Sequence, residues 1–348
     1  MTTTIADTTM AAWKSGRKTH TSSKGWIAGN APCCIHNGES VDKRGRGAFI
    51  TNGDGGLSFH CFNCSFKSAY TPGYPLSYKF KKLLRWLDVD ESDIFRLAIE
   101  AQREQQRQEM LGLVKIEVPK EEVKVNFKKF PLPEEAVTFY GMLEFHTLKD
   151  DTNYPMDYVH AVEYIADRKI DMQKYDFYWS PVAQHKMSKR AIIPFTWKNE
   201  IIGYTARAIN DDIQPKYIQQ VDAGYVYNID NQQDDWKFVI VCEGVLDAAS
   251  VDGVAILKAD ATIQQVDIIE SLNREIIVVP DWNKSGQKLI DVALANGWSV
   301  AFPTWAETCE DINEAVIKYG KLFVLKDIVN NVEHSELKIN LLRKKYGK

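Results

Sequence analysis

The sequence predicts a multi-domain α/β protein in which a small β-rich module precedes a larger α/β domain. Within residues 31–70, short apolar segments alternate with Gly-rich turns, as in a small antiparallel sheet. Residues 115–135 contain three prolines and alternate charge with valine, which is typical of an extended linker. After this linker, short apolar runs alternate with helical patterns, and this alternation indicates a parallel sheet covered on both faces.

The N-terminal part of the chain divides into three expected segments. Residues 1–30 show little apolar periodicity, and we expect them to be flexible. Residues 31–80 form the β module, because the turn sequence Asn52-Gly53-Asp54-Gly55-Gly56 separates two apolar segments in the manner of a hairpin. Residues 81–135 begin with leucines at helical spacing and end in the linker.

The C-terminal part is expected to contain the larger domain. A first subdomain spans residues 136–230, an α/β subdomain spans 231–325, and a basic helical tail spans 326–348. The apolar runs that predict the parallel strands lie at 237–242, 253–257, 275–279 and 298–302. Thr262 and Gln265 form a capping box, which predicts the start of a helix between two of these strands.

Charge and hydropathy narrow the possible classes of protein. The net charge is −4, yet residues 1–82 contain eleven Lys or Arg and only four acids, so the remainder is acidic. Such an asymmetry suggests one part that contacts phosphates and another that binds metal ions, unless the imbalance is merely solvated. We find no apolar run of about 18 residues and no signal-peptide pattern, and therefore expect a cytoplasmic protein without membrane contact.

Two ligand pairs in the β module predict a structural zinc site. Cys33-x-x-His36 and Cys61-x-x-Cys64 are tight pairs on separate turns, and together they supply four ligands of the kind that Zn²⁺ prefers. Cys34 is an alternative to Cys33. A pair formed by Cys34 and His36 would have one intervening residue instead of two, and this spacing fits the turn of a zinc site less well. His60 is expected to point away from Cys61, to the opposite face of its strand.

Cations and aromatic residues surround this predicted zinc site. Lys43, Arg44 and Arg46 are expected on the first β segment, and Phe59, Phe62 and Phe66 surround the second cysteine pair. Cations that follow phosphates and rings that stack on bases suit single-stranded nucleic acid. The alternative is that the phenylalanines form the small core around the metal.

Acidic residues follow the predicted parallel strands. Glu243, Asp247, Asp281 and Asp311, together with Asn283, all fall near the carboxyl ends of strands, where α/β proteins bind ligands. Several oxygens at one edge of a sheet suit Mg²⁺, which takes a few carboxylates plus substrate phosphates. The alternative is that these acids are solvated loop residues or helix caps.

At this point the residues resemble a known family. Cys33-x-x-His36…Cys61-Phe62-x-Cys64 resembles the zinc ribbon of bacterial and phage DNA primases. Glu243-Gly244-x-x-Asp247 and Asp281-x-Asn283-x-x-Gly286 resemble the two main motifs of the Toprim domain, which primases share with topoisomerases and some nucleases. The segments 189–195, 203–207 and 216–218 resemble the basic ridge of the primase polymerase core. The absence of a P-loop motif favours a stand-alone, phage-type primase without a fused helicase.

This resemblance implies a small β zinc ribbon joined to an α/β, Toprim-containing primase core. It implies primer synthesis from ribonucleoside triphosphates on single-stranded DNA, with a replicative helicase as partner and, for a phage protein, the host cytoplasm as location. Glu243, Asp281 and Asp311 would bind Mg²⁺ or Mn²⁺, with Asp247 in support. Arg190, Arg207 and Lys216 would bind template or triphosphate, although Lys216 could be an ordinary surface cation.

Some features leave alternatives open. The family usually has Asp at the position of Asn283, and Asn offers an oxygen without charge, which affects the number of metal ions. The Toprim glutamate, here Glu243, could act as metal ligand or as general acid or base. The chain could instead be a Toprim-type DNA cutter or a non-catalytic zinc-ribbon adaptor. For the tail from Leu337 we expect a frayed basic helix, and contact with DNA or a helicase is the alternative.

Overall fold

The computed structural model describes residues 4–110, 123, 125–149, 152–258, 260–283 and 286–346. The chain divides into two units, Met1–Glu121 and Glu122–Lys348, and each is described by itself. Among the described residues, no helix combines the length and the apolar character that crossing a bilayer requires.

The first unit is an antiparallel five-stranded sheet with helices at its ends. Its strands pair in chain order, each with the next along the sequence. Its elements are α1 (Ile5–Lys14), β1 (His20–Thr21), β2 (Ile27–Gly29), β3 (Gly47–Thr51), β4 (Leu57–Cys61), β5 (Lys67–Tyr70), α2 (Tyr78–Trp86) and α3 (Glu91–Met110). The predicted hairpin is confirmed, because β3 and β4 pair on either side of residues 52–56.

The prediction of a flexible N-terminus is wrong for its described residues, 4–30. Ile5, Thr9 and Trp13 recur every four residues, and all three are buried. The Thr9 hydroxyl donates to the Ile5 carbonyl, which satisfies the polar member of this apolar stripe. Trp13 packs edge-on against Phe49 of β3, with ring centroids 5.2 Å apart, so α1 belongs to the core of the unit.

The second unit begins with an antiparallel sheet of strand order β10-β9-β8-β7-β6. Its elements are β6 (Val137–Thr138), α4 (Phe139–Leu148), α5 (Met156–Asp167), β7 (Tyr178–Trp179), β8 (Arg190–Trp197), β9 (Glu200–Ala208) and β10 (Tyr217–Gln220). The end of the expected linker is part of this unit. Phe127 packs against Trp197 and Tyr225, and the Phe130 N–H donates to the Ile202 carbonyl at 3.1 Å. The linker residues 115–122 and 124 lie outside the described residues.

The rest of the second unit is the predicted parallel sheet, of strand order β12-β11-β13-β14-β15. Its elements are β11 (Phe238–Cys242), α6 (Val245–Val251), β12 (Val254–Ala255), α7 (Ile263–Glu270), β13 (Glu275–Val278), α8 (Gly286–Asn296), β14 (Ser299–Ala301), α9 (Ile312–Tyr319), α10 (Lys321–Asn330), β15 (Val332–Glu333) and α11 (Glu336–Tyr346). The parallel prediction is confirmed for β11–β14, and the capping box at Thr262 is present. The antiparallel edge strand β15 was not predicted.

The tail is docked rather than frayed. Ile339 of α11 is buried, and Arg343 forms an ion pair of 2.6 Å with Asp291 of α8. These two contacts hold α11 against the second unit, so the expectation of a frayed helix is corrected.

Candidate functional site

The first unit gathers four cysteine sulfurs at one point. Sγ of Cys33 lies 3.5 Å from Sγ of Cys64, Sγ of Cys34 lies 3.5 Å from Sγ of Cys61, and all four sulfurs lie within 4.8 Å of one another. Sulfurs at the corners of a zinc-thiolate tetrahedron with bonds of about 2.3 Å are about 3.8 Å apart. The donor set and its spacing therefore fit a structural Zn²⁺.

The fourth sulfur comes from Cys34, so the expected ligand His36 is corrected. Cys34 begins a short 3-10 turn that ends at Asn37, and this turn buries the sulfurs of both Cys33 and Cys34. His36 lies outside the cluster and stacks on Trp86, with ring centroids 4.7 Å apart and an interplanar angle of 5°. His60 packs on Phe62, away from buried Cys61, as expected.

The cationic loop beside this cluster is organised by a buried carboxylate. Asp42 accepts hydrogen bonds from the backbone N–H groups of Ala31, Arg44 and Arg46. Burial raises the pKa of Asp42, but these hydrogen bonds outweigh burial and leave the pKa below its usual value. Lys43 and Arg44 are exposed, whereas Arg46 is half-buried and 3.5 Å from Asp42. Lys43 and Arg44 are therefore the two cations of the loop that are fully open to a ligand.

The three phenylalanines have different environments. Phe59 is 2% exposed and packs on Phe49, and Phe66 packs on Trp86 at 5.0 Å, so both belong to the core. Phe62, between Cys61 and Cys64, is 64% exposed. Of the three rings, only that of Phe62 is available to stack on a base.

The second unit places four carboxylates at one edge of its parallel sheet, and we call this set the acidic rim: Glu243, Asp247, Asp281 and Asp311. Glu243 follows β11 directly, Asp281 follows the end of β13, and Asp311 caps α9 after β14. Because these strands are parallel, their carboxyl ends meet at the same edge. A Cβ atom at Gly244 would overlap the Asp247 carboxylate, so a larger residue there would displace this side chain from its position in the rim.

The charges of the acidic rim are strongly coupled. Burial, followed by the negative charges of Asp311 and Asp281, raises the pKa of Asp247 to about 8. Burial, followed by the charges of Glu243 and Asp311, raises the pKa of Asp281 to about 7. Carboxylates that repel one another in this way are stabilised by a bound cation. Among the described residues, however, the four cysteines form the only group of three or more Cys, His, Asp or Glu side chains whose ligand atoms all lie within 4.8 Å of one another.

A residue that the sequence did not reveal connects this rim to the rest of the unit. Asn313 is buried, and its backbone N–H donates to the Asp247 carboxylate at 2.9 Å. Its side chain donates to Ser250 at 2.8 Å and accepts from the Arg168 guanidinium at 2.6 Å. Asn313 lies two residues after Asp311, but a single asparagine carries no recognisable motif, so sequence reasoning had no signal for it.

Asn283, the residue that departs from the family pattern, is exposed near the start of α8. Its side-chain oxygen accepts a hydrogen bond from the Gly286 N–H at 3.2 Å. A Cβ atom at Gly286 would overlap the backbone oxygen of Asp281, so the start of α8 lies close to the backbone of Asp281. In this geometry Asn283 supports the loop that carries Asp281.

Two arginines and two tyrosines adjoin the acidic rim, and we call them the arginine–tyrosine cluster: Tyr164, Arg168, Arg207 and Tyr217. Nε of Arg207 donates to the Tyr164 hydroxyl at 2.7 Å, and the Arg207 guanidinium lies 4.7 Å from the ring centre of Tyr217. Arg168 lies over the Tyr164 ring at 4.5 Å. Nη1 of Arg207 and Nε of Arg168 are buried atoms without a hydrogen-bond partner among the described residues. Buried donors of this kind suit an anionic ligand.

The other two predicted cations lie elsewhere. Arg190 is fully buried and donates to the carbonyls of His185 and Ala206, so the expectation that it contacts template or triphosphate is corrected. The reason is the alternation of β8, which places Arg190 on the opposite face from Ala191, the residue that pairs with Arg207. Lys216 is exposed immediately before β10.

Comparison with known proteins finds distant structural likenesses. No family model and no curated protein sequence matches the chain. The DnaG catalytic core has a TM-score of 0.44 at 16% identity, covering 60% of this chain and 84% of that one. The zinc-binding and RNA polymerase domains of Aquifex aeolicus primase have a TM-score of 0.44 at 18% identity, covering 97% and 86%. The RNA polymerase domain of Mycobacterium tuberculosis primase DnaG has a TM-score of 0.37 at 17% identity, covering 66% and 76%. These likenesses carry no inference about function, which depends on the residues of this chain.

Proposed function

We propose that the chain is a DNA primase of the stand-alone, phage-like type, which synthesises short RNA primers on single-stranded DNA. One observation carries the proposal. Asn313 joins Asp247 of the acidic rim to Arg168 of the arginine–tyrosine cluster, so carboxylates that would suit a metal ion and cations that would suit phosphates adjoin each other within one unit. Nucleotidyl transfer requires both, because a metal ion and cations must neutralise the same triphosphate.

In this proposal the α/β subdomain is of the Toprim type, and its acidic rim binds Mg²⁺ or Mn²⁺. Glu243, Asp281 and Asp311 would bind the ion, and Asp247 would support them. The ion would neutralise the triphosphate while a 3′-hydroxyl attacks the α-phosphate and pyrophosphate leaves. Glu243 could instead act as general acid or base. Asn283 would act indirectly, by holding the loop of Asp281.

The arginine–tyrosine cluster would hold the phosphates of the incoming ribonucleoside triphosphate. Nη1 of Arg207 and Nε of Arg168, which have no hydrogen-bond partner within the described part of the chain, would donate to phosphate oxygens. Lys216, exposed immediately before β10, would act as a point charge on the template backbone.

The first unit would bind the template strand around a structural Zn²⁺ held by Cys33, Cys34, Cys61 and Cys64. Lys43 and Arg44, with Arg46 at the edge of the same loop, would contact phosphates, and Phe62 would stack on a base. A replicative helicase would be the partner during replication, and the cytoplasm the location.

The test is a comparison of products from one incubation. Single-stranded DNA, Mg²⁺ and labelled ribonucleotides are incubated with wild type, with Glu243→Gln, and with the matched control Glu144→Gln on the exposed face of α4. We expect short RNA from wild type and control, and none from Glu243→Gln. Cut DNA would indicate a Toprim-type nuclease instead. Binding of DNA without either product would indicate a non-catalytic adaptor.

A further inference from the structure

The end of α9 and the outer side of α10 expose a group of large apolar side chains. We call this group the α10 face, and it consists of Ile317, Tyr319, Leu322, Phe323 and Val329. Leu322 is the most exposed of them, at 83%, and the rings of Tyr319 and Phe323 are in contact, with centroids 5.3 Å apart. A contiguous apolar group on a surface marks a place where another molecule binds, whereas single exposed apolar residues are ordinary.

The helical periodicity of α10 explains why these side chains do not belong to the core. Val324 and Ile328 are buried and define the inner side of the helix. Leu322 and Val329 are seven residues apart and therefore lie in one row on the outer side, about 10 Å long, with Lys326 between them. A row of this length matches the apolar stripe of one partner helix, whose side chains recur at the same spacing.

The charges around the α10 face are positive. Nζ of Lys169 donates to the Ile317 carbonyl at 2.7 Å, and the Lys318 ammonium lies 5.1 Å from the ring centre of Tyr319. With Lys326, this places three exposed lysines at the edges of the apolar group. None of the three forms an ion pair with a residue that the structure describes, so their charges are open to a ligand.

The two acids of α9 and α10 do not balance these lysines, because both already accept hydrogen bonds from the backbone. The Glu314 carboxylate accepts from the Glu310 N–H at 2.7 Å, and the Asp327 carboxylate accepts from the Thr304 N–H at 2.7 Å. An occupant that brings its own carboxylates to the edge of an apolar stripe would therefore complement this face.

A peptide fits the α10 face better than a nucleic acid does. Bases stack on aromatic rings, yet the most exposed member of the face is the aliphatic Leu322. The rings of Tyr319 and Phe323 pack on each other at an interplanar angle of 39°, which leaves less of each ring open for stacking. An aliphatic side chain instead fits between the apolar side chains of a partner helix.

We propose that the α10 face binds an acidic amphipathic helix of a partner protein. Apolar side chains of that helix would pack on Leu322, Phe323 and Val329, and its acidic side chains would pair with the surrounding lysines. This site would not take part in nucleotide chemistry, because it lies at the end of α9 opposite to Asp311. It goes beyond the proposed primase activity and does not depend on it.

The first test uses synthetic peptides and the full-length protein. A labelled helical peptide of about 18 residues carries leucine at every third or fourth position and glutamate along both sides of this stripe, and a matched peptide carries glutamine in place of each glutamate. In anisotropy titrations we expect the acidic peptide to bind at least about fivefold more tightly, because several exposed ion pairs together are worth this factor. High salt should remove the difference. No binding of the acidic peptide, or equal affinity for both peptides, would overturn the proposal.

Single substitutions of exposed side chains locate the binding surface without disturbing the core. Leu322→Ser should weaken binding of the acidic peptide at least about tenfold, because burial of one leucine side chain is worth more than that factor. The matched control is Leu337→Ser on α11, which changes a leucine of similar exposure outside the α10 face and should bind as wild type does. Lys326→Gln should lose about two- to fivefold for the acidic peptide and nothing for the glutamine peptide. Unaltered affinity in Leu322→Ser would contradict the proposal.

Two further measurements show whether a different occupant covers this face. Sedimentation of the protein alone should give a monomer, or a dimer that persists in Leu322→Ser; a dimer that this substitution abolishes would mean that a second copy binds here and would overturn the proposal. Binding of labelled oligo-dT and of phosphatidylglycerol vesicles should be the same in wild type and in Leu322→Ser. Weaker binding of either by the variant would assign the face to nucleic acid or to a lipid surface instead.

Discussion

The backbone N–H of Asn313 donates to the Asp247 carboxylate at 2.9 Å and so ties the first turn of α9 to the first turn of α6. The same asparagine binds the guanidinium of Arg168 through its side-chain oxygen. One buried residue therefore fixes a carboxylate of the acidic rim relative to a cation of the neighbouring cluster. The relative position of these two charges is what metal-assisted phosphoryl chemistry depends on.

Replacing Asn313 by Ala should destabilise the second unit by about 2–4 kcal/mol, because the Ser250 hydroxyl and the Arg168 guanidinium each lose a hydrogen bond. The backbone bond to Asp247 would survive the substitution. Denaturant unfolding measures the effect. Ser250→Ala, which removes one of these bonds and leaves the others, is the matched control and should cost about 1 kcal/mol. Equal stability of Asn313→Ala and wild type would show that this network is not structural.

The stability of the metal-free second unit should fall as pH rises. The pKa values of Asp247 and Asp281 are higher in the folded state than in an unfolded chain. At pH values between the unfolded and the folded pKa, the folded state therefore binds more protons than the unfolded state. The decrease in the free energy of unfolding should begin above about pH 4 and be complete above about pH 8, and it should be on the order of a few kcal/mol in total. Thermal unfolding between pH 5 and 8.5 measures it.

The control for this pH effect is Asp247→Asn, which removes the most strongly shifted carboxylate and should flatten the pH dependence. Added Mg²⁺ should restore the stability of wild type at pH 8.5, because a cation relieves the repulsion. A wild-type stability that rises from pH 5 to 8.5 without metal would contradict the electrostatic description of the acidic rim.

The zinc content of two variants distinguishes the four-cysteine site from the ligand set that the sequence suggested, in which His36 takes the place of Cys34. Cys34→Ser should lose most of the bound zinc and destabilise the first unit, since a structural zinc contributes directly to folding. His36→Ala should retain one zinc per chain, because His36 lies outside the cluster. Metal analysis of both purified variants decides the point. Zinc loss in His36→Ala with retention in Cys34→Ser would reverse our assignment.

Phe62 and Phe59 form a matched pair, three positions apart, with different expected roles. Phe62→Ala should weaken binding of single-stranded DNA roughly 5- to 100-fold and leave stability unchanged, because its exposed ring offers a stacking surface. Phe59→Ala should cost about 3–5 kcal/mol, because its ring is buried against Phe49. Anisotropy titrations and unfolding curves are measured on both. Unchanged DNA affinity in Phe62→Ala would remove it from the template surface.

Regular patterns made much of the second unit predictable. The strands β11, β13 and β14 follow from continuous apolar runs, and their parallel arrangement follows from the helices between them. Parallel strands bring their carboxyl ends together, so the positions of Glu243, Asp281 and Asp311 at one edge could be expected before any coordinates. Hairpin β3–β4 was predictable from its Gly-rich turn.

The remaining features depend on tertiary contacts that no local pattern encodes. The choice of Cys34 over His36 depends on a 3-10 turn, which buries two adjacent cysteines and turns the histidine toward Trp86. Arg190 looked like a surface cation, yet strand alternation buries it opposite the face of Arg207. α1 was overlooked because Thr9 interrupts its apolar stripe.

The formation of a dinucleotide tests the central claim most directly. Wild type and Asp281→Asn are given single-stranded DNA of mixed sequence, labelled ATP with the other ribonucleotides, and increasing Mn²⁺. We predict that wild type forms template-dependent dinucleotide with saturable dependence on Mn²⁺, and that Asp281→Asn, which keeps the shape of the site but loses one charge, is at least about 100-fold slower. No dinucleotide from zinc-loaded wild type at any Mn²⁺ concentration, or an equal rate in Asp281→Asn, would contradict the account.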